Sequence, residues 1–234
     1  MENRIETIHD LLWLQMVFGA GSPRIWEVVK HTGSPTNARQ NLCDPEQQKK
    51  IRLTERHLRR IRQVTDNHID ELMERCDKLG ISILTYYDSI YPRNLRMITN
   101  APIILYYRGD ISLLESHLLL TVVGTHNPTD YSLRVEKHIC NQLVQFHFIL
   151  ATGFAVGIDI TANLCALAHD KPSIALMGCG LDVAYPPAHH TLKDKIADNG
   201  LILSEFSPGT SPHPSNFPAR NRILSGLSAG TLVV

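Results

Sequence analysis

Two apolar runs, each followed by a glycine turn and then by a helical pattern, occupy the middle of the chain. The first run, 118–123, ends at Gly124, and the second, 146–151, leads into a glycine turn at 153–157 and a helix from about Asp159. Continuous apolar runs bounded by turn residues are typical of strands buried on both faces of a parallel sheet. Repeated strand, glycine turn and helix predict a doubly wound, Rossmann-like α/β sheet.

The two glycine turns are predicted to form a binding site. In an open parallel sheet, the loops at the carboxyl ends of the strands meet where the strand order reverses, and ligands bind there. Glycine lets a ligand approach the backbone, and the N–H groups at a helix N-terminus suit phosphate. The turns read Gly-Thr-His-Asn-Pro-Thr and Gly-Phe-Ala-Val-Gly, and neither matches a dinucleotide or nucleoside triphosphate motif. We therefore expect a phosphate-bearing ligand and no bound cofactor; the alternative is that the glycines serve only the turns.

Length and composition exclude several classes of protein. The 234 residues leave room for one or two domains, and a formal net charge of zero gives no global field for nucleic acid. No stretch approaches a membrane span, and the N-terminus is too polar for a secretory signal. The five scattered cysteines, without Cys-x-x-Cys, indicate reduced thiols in a cytoplasmic protein. The twelve histidines show no metal-ligand spacing, so we expect no metal site.

Residues 1–80 are predicted to form a small all-α domain. Helical periodicity covers 5–18 and 24–31, which are joined by a glycine turn, with Ser22 as N-cap and Pro23 at the first helical position. A helix–hairpin–helix unit of this kind can hold a nucleic-acid backbone through the N–H groups of its hairpin. A plain helical bundle is the alternative.

Residues 32–44 are rich in Gly, Ser, Pro and Asn and are expected to form a loop. Two helices are predicted over 45–62 and 65–79, the second ended by Gly80, where we place the domain boundary. Arginines at three- and four-residue spacing form one broad face of the first of these helices: Arg52, Arg56, Arg59 and Arg60. Such a face can contact phosphate, although a solvated charged face is the more common case.

Residues 81–234 are predicted to form the α/β domain. Its further strands are expected at 81–86, 102–106, 173–177 and 201–203, and its further helices at 89–97 and 191–199. A third glycine-rich strand exit, Gly-Cys-Gly, follows the strand that ends at Met177 and should lie on the same edge of the sheet. The acids near the strand exits are expected to fix loop N–H groups rather than to act in acid–base catalysis: Asp159, Asp182 and Glu205.

Two arginines follow a turn-rich stretch, 207–218. The sequence predicts a helix from Ala219 onward, so that Arg220 and Arg222 lie in its first turn. Because arginine there opposes the helix dipole, we expect an anion nearby, and bidentate binding of phosphate is the natural use. Packing or a local carboxylate pair is the alternative. Residues 231–234 look like a strand entering the sheet, so the sheet is predicted to be incomplete at the C-terminus.

From residue 91 onward, several short motifs occur in the order and spacing of one family. They are Tyr91-Pro92, Val123-Gly124-Thr125, Thr152-Gly153, Gly157-Ile158-Asp159, Gly180-Leu181-Asp182, Tyr185-Pro186, Ser204-Glu205, Phe217-Pro218, Arg220-Asn221-Arg222 and Gly226-Leu227-Ser228. On these motifs the chain resembles the DprA/Smf family, the DNA-processing proteins of bacterial natural transformation. The helices before residue 81 are similar, more weakly, to the SAM-like domain of many members.

The resemblance implies sequence-independent binding of single-stranded DNA, in DNA uptake and recombination, and no enzymatic activity. It further implies an extended Rossmann-like domain that works as a homodimer and loads the recombinase RecA onto DNA. Carried over by motif, the contact candidates are Gly124, Thr125, His126, Gly153, Gly157, Arg220, Asn221 and Arg222. Aromatic residues in or near these loops are expected to stack on bases: Phe154, Tyr131 and Phe217.

Four positions depart from the family pattern. His126 and Val156 stand where members carry arginine, Ser132 where they carry glycine, and Asn163 where they carry histidine. Because two permanent cations are missing, we expect weaker binding of single strands than in a typical member. His126 further predicts tighter binding below about pH 6.5, where an imidazole takes up a proton.

Two other functions stay open. One is a degenerate module with weak DNA binding and a protein-partner role, because the family's surfaces for RecA and self-association lie largely beyond the position of Val234. The other is a nucleotide-phosphate-binding enzyme similar to the LOG phosphoribohydrolases. Their Pro-Gly-Gly-x-Gly-Thr-x-x-Glu motif is absent, and residues 228–231 read Ser-Ala-Gly-Thr.

Overall fold

The computed structural model describes residues 2–234, with side chains from residue 4 onward. In this part of the chain, helices alone precede the first strand: α1 Glu2–Phe18, α2 Pro23–Thr32, α3 Pro35–Cys43, α4 Pro45–Gln48, α5 Glu55–Gln63 and α6 Asp66–Lys78. The predicted helix–hairpin–helix pair is confirmed as α1 and α2, with Pro23 at the start of α2. Gly80, at φ +62°, follows the end of α6, as expected of a glycine that stops a helix.

The predicted loop at 32–44 is wrong, because α3 fills most of it. The Ser34 side chain accepts a hydrogen bond from the Asn37 N–H at 3.1 Å, and Pro35 occupies the first helical position. Serine and proline are both common in loops, yet a serine followed by proline is also a good helix start. The local capping chemistry therefore outweighs the average composition of the segment.

The single helix predicted over 45–62 is also wrong, because it divides into α4 and α5. A capping box starts α5, in which Thr54 accepts a hydrogen bond from the His57 N–H and His57 accepts one from the Thr54 N–H. Arg52 therefore lies before α5, and the exposed arginine face of this helix is shorter than predicted.

One mixed sheet follows, built from β1 Ser82–Thr85, β2 Ile104–Gly109, β3 Leu119–Val123, β4 Ile149–Thr152, β5 Ser173–Met177, β6 Leu201–Ser204 and β7 Gly230–Val233. The strands lie in the order β1-β2-β6-β5-β4-β3-β7. Only β2 pairs antiparallel, with β1 and with β6; the other neighbours are parallel. The predicted mostly parallel α/β sheet is confirmed. Its remaining α-helices are α7 Arg93–Met97, α8 Asp130–Gln145, α9 Ile158–Ala168, α10 His190–Asn199 and α11 Asn216–Leu227.

Helices cover both faces of this sheet. On β5, Ala175 and Met177 pack with the N-terminal helices and α10, whereas Ile174 and Leu176 pack with α7 and α11 on the opposite face. Successive side chains of a strand point to opposite faces, so a strand covered on both sides must be apolar throughout. The continuous apolar runs in the sequence follow from this requirement.

The strand order reverses beside β3. From β3 the chain adds β4, β5 and β6 in one direction, and it then returns to place β7 on the other side of β3. In open α/β sheets such a reversal leaves a crevice at the carboxyl ends of the strands. The topology therefore places the expected site where β3 ends and the two glycine turns begin.

Buried polar contacts join the N-terminal helices to the sheet. The hydroxyl of Tyr106, a fully buried side chain on β2, donates a hydrogen bond to Gln15 Oε1 at 2.8 Å. Gln15 Nε2 in turn donates to the Glu205 carbonyl oxygen at 3.1 Å, and Trp26 Nε1 donates to the Ala101 carbonyl oxygen at 2.6 Å. The division into two domains stays a prediction, but the two parts share one packed interior.

Three further findings concern the classes weighed above. Within residues 2–234, no helix is both long enough and apolar enough to cross a bilayer. The same residues contain no group of three or more His, Cys, Asp or Glu side chains placed to hold a metal ion. All five cysteines are free, and burial raises the pKa of the Cys179 thiol to about 11. Cys179 therefore packs as a small protonated side chain rather than as a nucleophile.

Glu136 on α8 is an acid inside the packed interior. Its side chain has no solvent exposure, and neither carboxylate oxygen has a hydrogen-bond partner of normal geometry among the described residues. Burial, followed by the charge of Asp159, raises the pKa of Glu136 to about 8. The pKa of Glu136 is therefore higher in the folded chain than in the unfolded chain. At a pH between these two pKa values, the chain takes up a proton when it folds.

We predict that stability falls as the pH rises from about 4.5 to about 8, because Glu136 ionises in the unfolded chain over this range while the folded chain keeps it protonated. Replacing Glu136→Gln removes that ionisation, so the loss of stability over this range should shrink by about 1–3 kcal/mol. Urea unfolding at several pH values measures it, with the exposed Glu115→Gln as matched control. Equal pH slopes for the parent and Glu136→Gln would contradict the prediction.

Candidate nucleic-acid interface

The two predicted glycine loops touch each other at the carboxyl edge of the sheet. Gly157 has φ +95°, and a Cβ there would lie 2.4 Å from the Thr125 carbonyl oxygen. The same carbonyl accepts a hydrogen bond from the Ile158 N–H at 3.3 Å. A Cβ on Gly124 would lie 2.6 Å from the Val234 carbonyl oxygen. These glycines are therefore required by the close approach of β3, β7 and the start of α9, and not by turn geometry alone.

The buried side chain of Arg220 links the ends of two strands at this edge. Its guanidinium is 3% exposed and donates hydrogen bonds to the carbonyl oxygens of Gly153 and Leu176, at the ends of β4 and β5. A Cβ on Gly153 would come within 2.3 Å of the guanidinium, so only glycine fits here. Burial lowers the pKa of Arg220 to about 10, against the attraction of Asp159, and the side chain stays charged at neutral pH.

The prediction that Arg220 and Arg222 lie in the first turn of their helix is wrong. The helix begins at Asn216, three residues earlier than predicted, which moves both arginines beyond the first turn. Pro218 is accommodated because N–H groups in the first turn of a helix have no partner within the helix. Proline, which has no N–H group, therefore loses no hydrogen bond there. The helix dipole therefore gives no reason to expect an anion beside these arginines. For Arg220, the alternative of packing describes the structure.

Arg222 is engaged by a carboxylate. Its Nη2 lies 2.6 Å from Glu205 Oε1, and Glu205 is itself buried at the end of β6. Burial raises the pKa of Glu205, while Arg222 and the Gly21 N–H oppose that rise. The local carboxylate pair weighed as an alternative is therefore present.

The hairpin between α1 and α2 directs the Gly21 N–H into the protein, where the Asn100 amide also binds the Gly21 carbonyl oxygen at 2.6 Å.

The acids at the strand exits fix loops, as expected. Asp159 accepts a hydrogen bond from the Ala155 N–H at 3.2 Å and so closes the loop between β4 and α9. Asp182 accepts one from the Gly209 N–H at 2.7 Å and pairs with Arg75 of α6 at 2.6 Å. Although burial works in the other direction, these two partners lower the pKa of Asp182. The carboxylates are thus occupied by the protein itself.

The aromatic candidates differ in exposure. Phe154 is 1% exposed and lies in the core, so the prediction that it stacks on bases is wrong. Phe217 is half-buried, with its ring centroid 5.3 Å from that of Tyr185, and a Cβ on Gly178 would touch it at 2.8 Å. Tyr131, at the start of α8, is 69% exposed and free to present its ring face.

A polar, uncharged rim remains exposed at this edge. It consists of Thr125, His126 and Asn127 after β3, together with Asn221 on α11. Thr125 Oγ1 accepts a hydrogen bond from the Asn127 N–H at 3.2 Å, which shapes the tip of the loop. None of the loop residues 124–129, 153–157, 178–186 and 205–215 is Lys or Arg. The expectation of missing permanent cations therefore extends to the whole loop cluster.

Two departures from the family pattern, Ser132 and Asn163, lie on helices outside these loops. Asn163 is fully buried, where it accepts a hydrogen bond from Thr152 Oγ1 at 2.7 Å and donates one to Ser173 Oγ at 3.1 Å. Ser132 belongs to the start of α8, where its N–H donates to Thr129 Oγ1 at 3.2 Å. Both residues are satisfied internally, so their identity reflects packing and capping.

We predict that Arg220→Gln destabilises the chain by about 3 kcal/mol or more, because it removes one partner of a buried charged hydrogen-bond network. Urea unfolding followed by circular dichroism measures the change. The exposed Ser225→Ala on the same helix should stay within about 0.5 kcal/mol of the parent. A similarly small effect for Arg220→Gln would mean that its guanidinium is free to serve a ligand.

Comparison with known proteins agrees with this architecture. The family model of DNA recombination-mediator protein A matches residues 82–234. Protein Smf of Synechocystis is 40% identical over 167 residues, which cover 70% of this chain and 42% of that protein. DNA processing protein DprA of Streptococcus pneumoniae is 36% identical over 171 residues, which cover 73% of this chain and 58% of that protein. The chain thus spans about half the length of these relatives.

Solved structures of two relatives are among the matches. The X-ray structure of Streptococcus pneumoniae DNA processing protein A matches with a TM-score of 0.83 and 29% identity, over 97% of this chain and 77% of that one. Helicobacter pylori DNA processing protein A, described for a unique single-stranded DNA binding mode, matches with a TM-score of 0.60 and 33% identity, over 65% of this chain and 68% of that one. With a family model that covers well over half of its residues, the chain belongs to the DNA recombination-mediator protein A family, also called DprA or Smf.

Proposed function

We propose that this chain binds single-stranded DNA without sequence preference at the carboxyl edge of its sheet. The observation that carries the proposal is the polar rim of Thr125, His126 and Asn127 at the reversal of strand order, where ligands of α/β sheets bind. The single-stranded DNA binding of the Helicobacter relative, which has the same fold, supports it. For the whole protein, we extend the proposal to a role in DNA uptake and recombination.

The chemistry of the rim suits a phosphate backbone more than a base edge. Hydroxyl, amide and imidazole groups donate hydrogen bonds to phosphate oxygens and carry no sequence information there. The N-terminus of α9 adds a partial positive charge below the rim. The exposed ring of Tyr131 provides a stacking surface, which every base can use. Binding by this edge alone should be weak, because its loops hold no permanent cation.

The partners of the whole protein belong to the proposal as well. The family implies that RecA is loaded onto the bound strand and that the protein acts as a homodimer in the cytoplasm. This chain covers about half of its relatives' length, so both partners are proposed for the whole protein rather than for this portion. A module with a protein partner and weak DNA binding is the second candidate, which the uncharged rim favours.

Binding rather than catalysis is the better description of the site. Asp159, Asp182 and Glu205 are engaged by loop N–H groups and arginines, so none stands ready as a general base. The nearby thiol of Cys179 is buried and protonated. A phosphoribohydrolase would need a free acid beside a nucleotide, and no loop acid at this edge is free.

We predict that replacing Thr125, His126 and Asn127 together by alanine weakens binding of labelled oligo-dT about tenfold, because hydrogen bonds to phosphate are lost. Fluorescence anisotropy at low salt measures the affinity. The matched control replaces three exposed residues at the opposite edge, Ser112, Glu115 and His117, by alanine and should leave affinity unchanged. Equal affinity of the loop variant and the parent would place the DNA elsewhere.

A further inference from the structure

A concentrated positive charge lies outside the sheet, on α5. Residues 49–62 hold seven Lys or Arg and a single acid, Glu55, in a chain whose net charge is zero. Three of these arginines form the exposed side of α5 at three-residue spacing, and Ile61 on the opposite side is buried. We call these three the α5 patch: Arg56, Arg59 and Arg62.

The α5 patch is not neutralised by the protein. Within the described residues, none of its three guanidinium groups forms an ion pair or a side-chain hydrogen bond. Several other arginines of the chain are paired, for example Arg39 with Asp66 at 2.5 Å and Arg108 with Asp194 at 3.1 Å. The next helix, α6, carries five acids, so carboxylates exist nearby in sequence but are directed elsewhere. The like charges of α5 therefore remain together in solvent.

The electrostatics of neighbouring groups show the same concentration of charge. After burial, the positive charges of Arg24, Arg60 and Arg56 each lower the pKa of His57. Arg56 likewise adds to the lowering of the pKa of Arg60 by burial. Arg24, at the start of α2, adds to this field, although its Nη1 also pairs with Glu27 at 2.5 Å. Such a field attracts a polyanion and is strongest at low ionic strength.

A continuous series of contacts links α5 to the proposed DNA edge. Arg60 Nη1 donates to the Val17 carbonyl oxygen at 3.2 Å, beside the hairpin between α1 and α2. Gly21 of that hairpin lies against the Glu205 carboxylate at the carboxyl end of β6, where a Cβ on Gly21 would be 3.1 Å from Glu205 Oε2. Glu205 binds Arg222 of α11, the helix whose exposed Asn221 belongs to the rim. The helical region that carries the patch therefore packs against the carboxyl end of β6, at the edge of the sheet on which the rim lies.

We propose that the α5 patch binds the phosphate backbone of the same single strand that the rim binds, and supplies the permanent positive charge that the loops lack. The inference rests on the proposed function for the path of the strand. The patch itself rests on its own unpaired arginines. A single strand follows a positively charged groove by electrostatics and needs no base contact there.

The test compares two oligo-dT probes, of about 6 and about 20 nucleotides. The variant replaces Arg56, Arg59 and Arg62 by glutamine. The matched control replaces three cations away from α5, Arg93, Lys171 and Lys195, in the same way. For the long probe, the α5 variant should lose about two units of slope in log affinity against log salt, because three phosphate contacts at about 0.7 each are removed. For the short probe, the variant and the parent should bind alike. Thermal unfolding confirms that both variants are folded.

The outcomes separate the two proposals. An unchanged salt slope of the α5 variant, with weaker binding of the loop variant, overturns the role of the patch and leaves the DNA edge intact. A lost slope of the α5 variant with an unaffected loop variant supports the patch as a phosphate site and overturns the rim. Binding of anionic phospholipid vesicles instead of oligo-dT overturns the assignment to nucleic acid.

Discussion

The buried guanidinium of Arg220 is the interaction on which the arrangement of the strand ends depends. It binds the carbonyl oxygens of Gly153 and Leu176, and the absence of a side chain at Gly153 makes room for it. Carbonyl groups at the ends of parallel strands lose their ladder partners, so a planar donor with several N–H groups satisfies more than one at once. The position of α11, and with it the exposed Asn221, follows from this contact.

Arg220 and Arg222 bind groups in the interior, and this changes the electrostatics of the outer surface. Arg220 serves the backbone and Arg222 serves Glu205, so the loops above them present only neutral donors. Neutral hydrogen bonds to phosphate fix position, whereas most of the salt-dependent affinity for nucleic acid comes from permanent cations. In the proposed function, the uncharged rim positions the strand and the separate cationic helix attracts it.

The same contacts explain why the N-terminal helices and the sheet pack as one unit. The hairpin of α1 and α2 directs its Gly21 N–H toward Glu205, and Gln15 bridges Tyr106 and the Glu205 carbonyl oxygen. A hairpin engaged in this way cannot offer that N–H group to a nucleic-acid backbone. The charged side of the helical region is α5 instead, and its arginines face solvent because Ile61 takes the buried side.

Structural features that depend on residues close together in the sequence could be predicted. The strand at 173–177 and the reversal of a mostly parallel sheet follow from apolar runs and glycine turns. The helix α3 was missed because Ser34 and Pro35 suit both a loop and a helix start. The roles of Arg220, Arg222 and Phe154 were not predictable, since only the tertiary packing decides whether a loop-side residue points outward or inward.

Hydrogen–deuterium exchange of the chain, with and without a long oligo-dT, tests the central claim most directly. The account predicts slower exchange at 124–127 and 155–157, where the strand covers the rim, and unchanged exchange at the amino ends of the strands. Protection confined to 110–118 and 146–148, at those amino ends, with none at the rim, would contradict it.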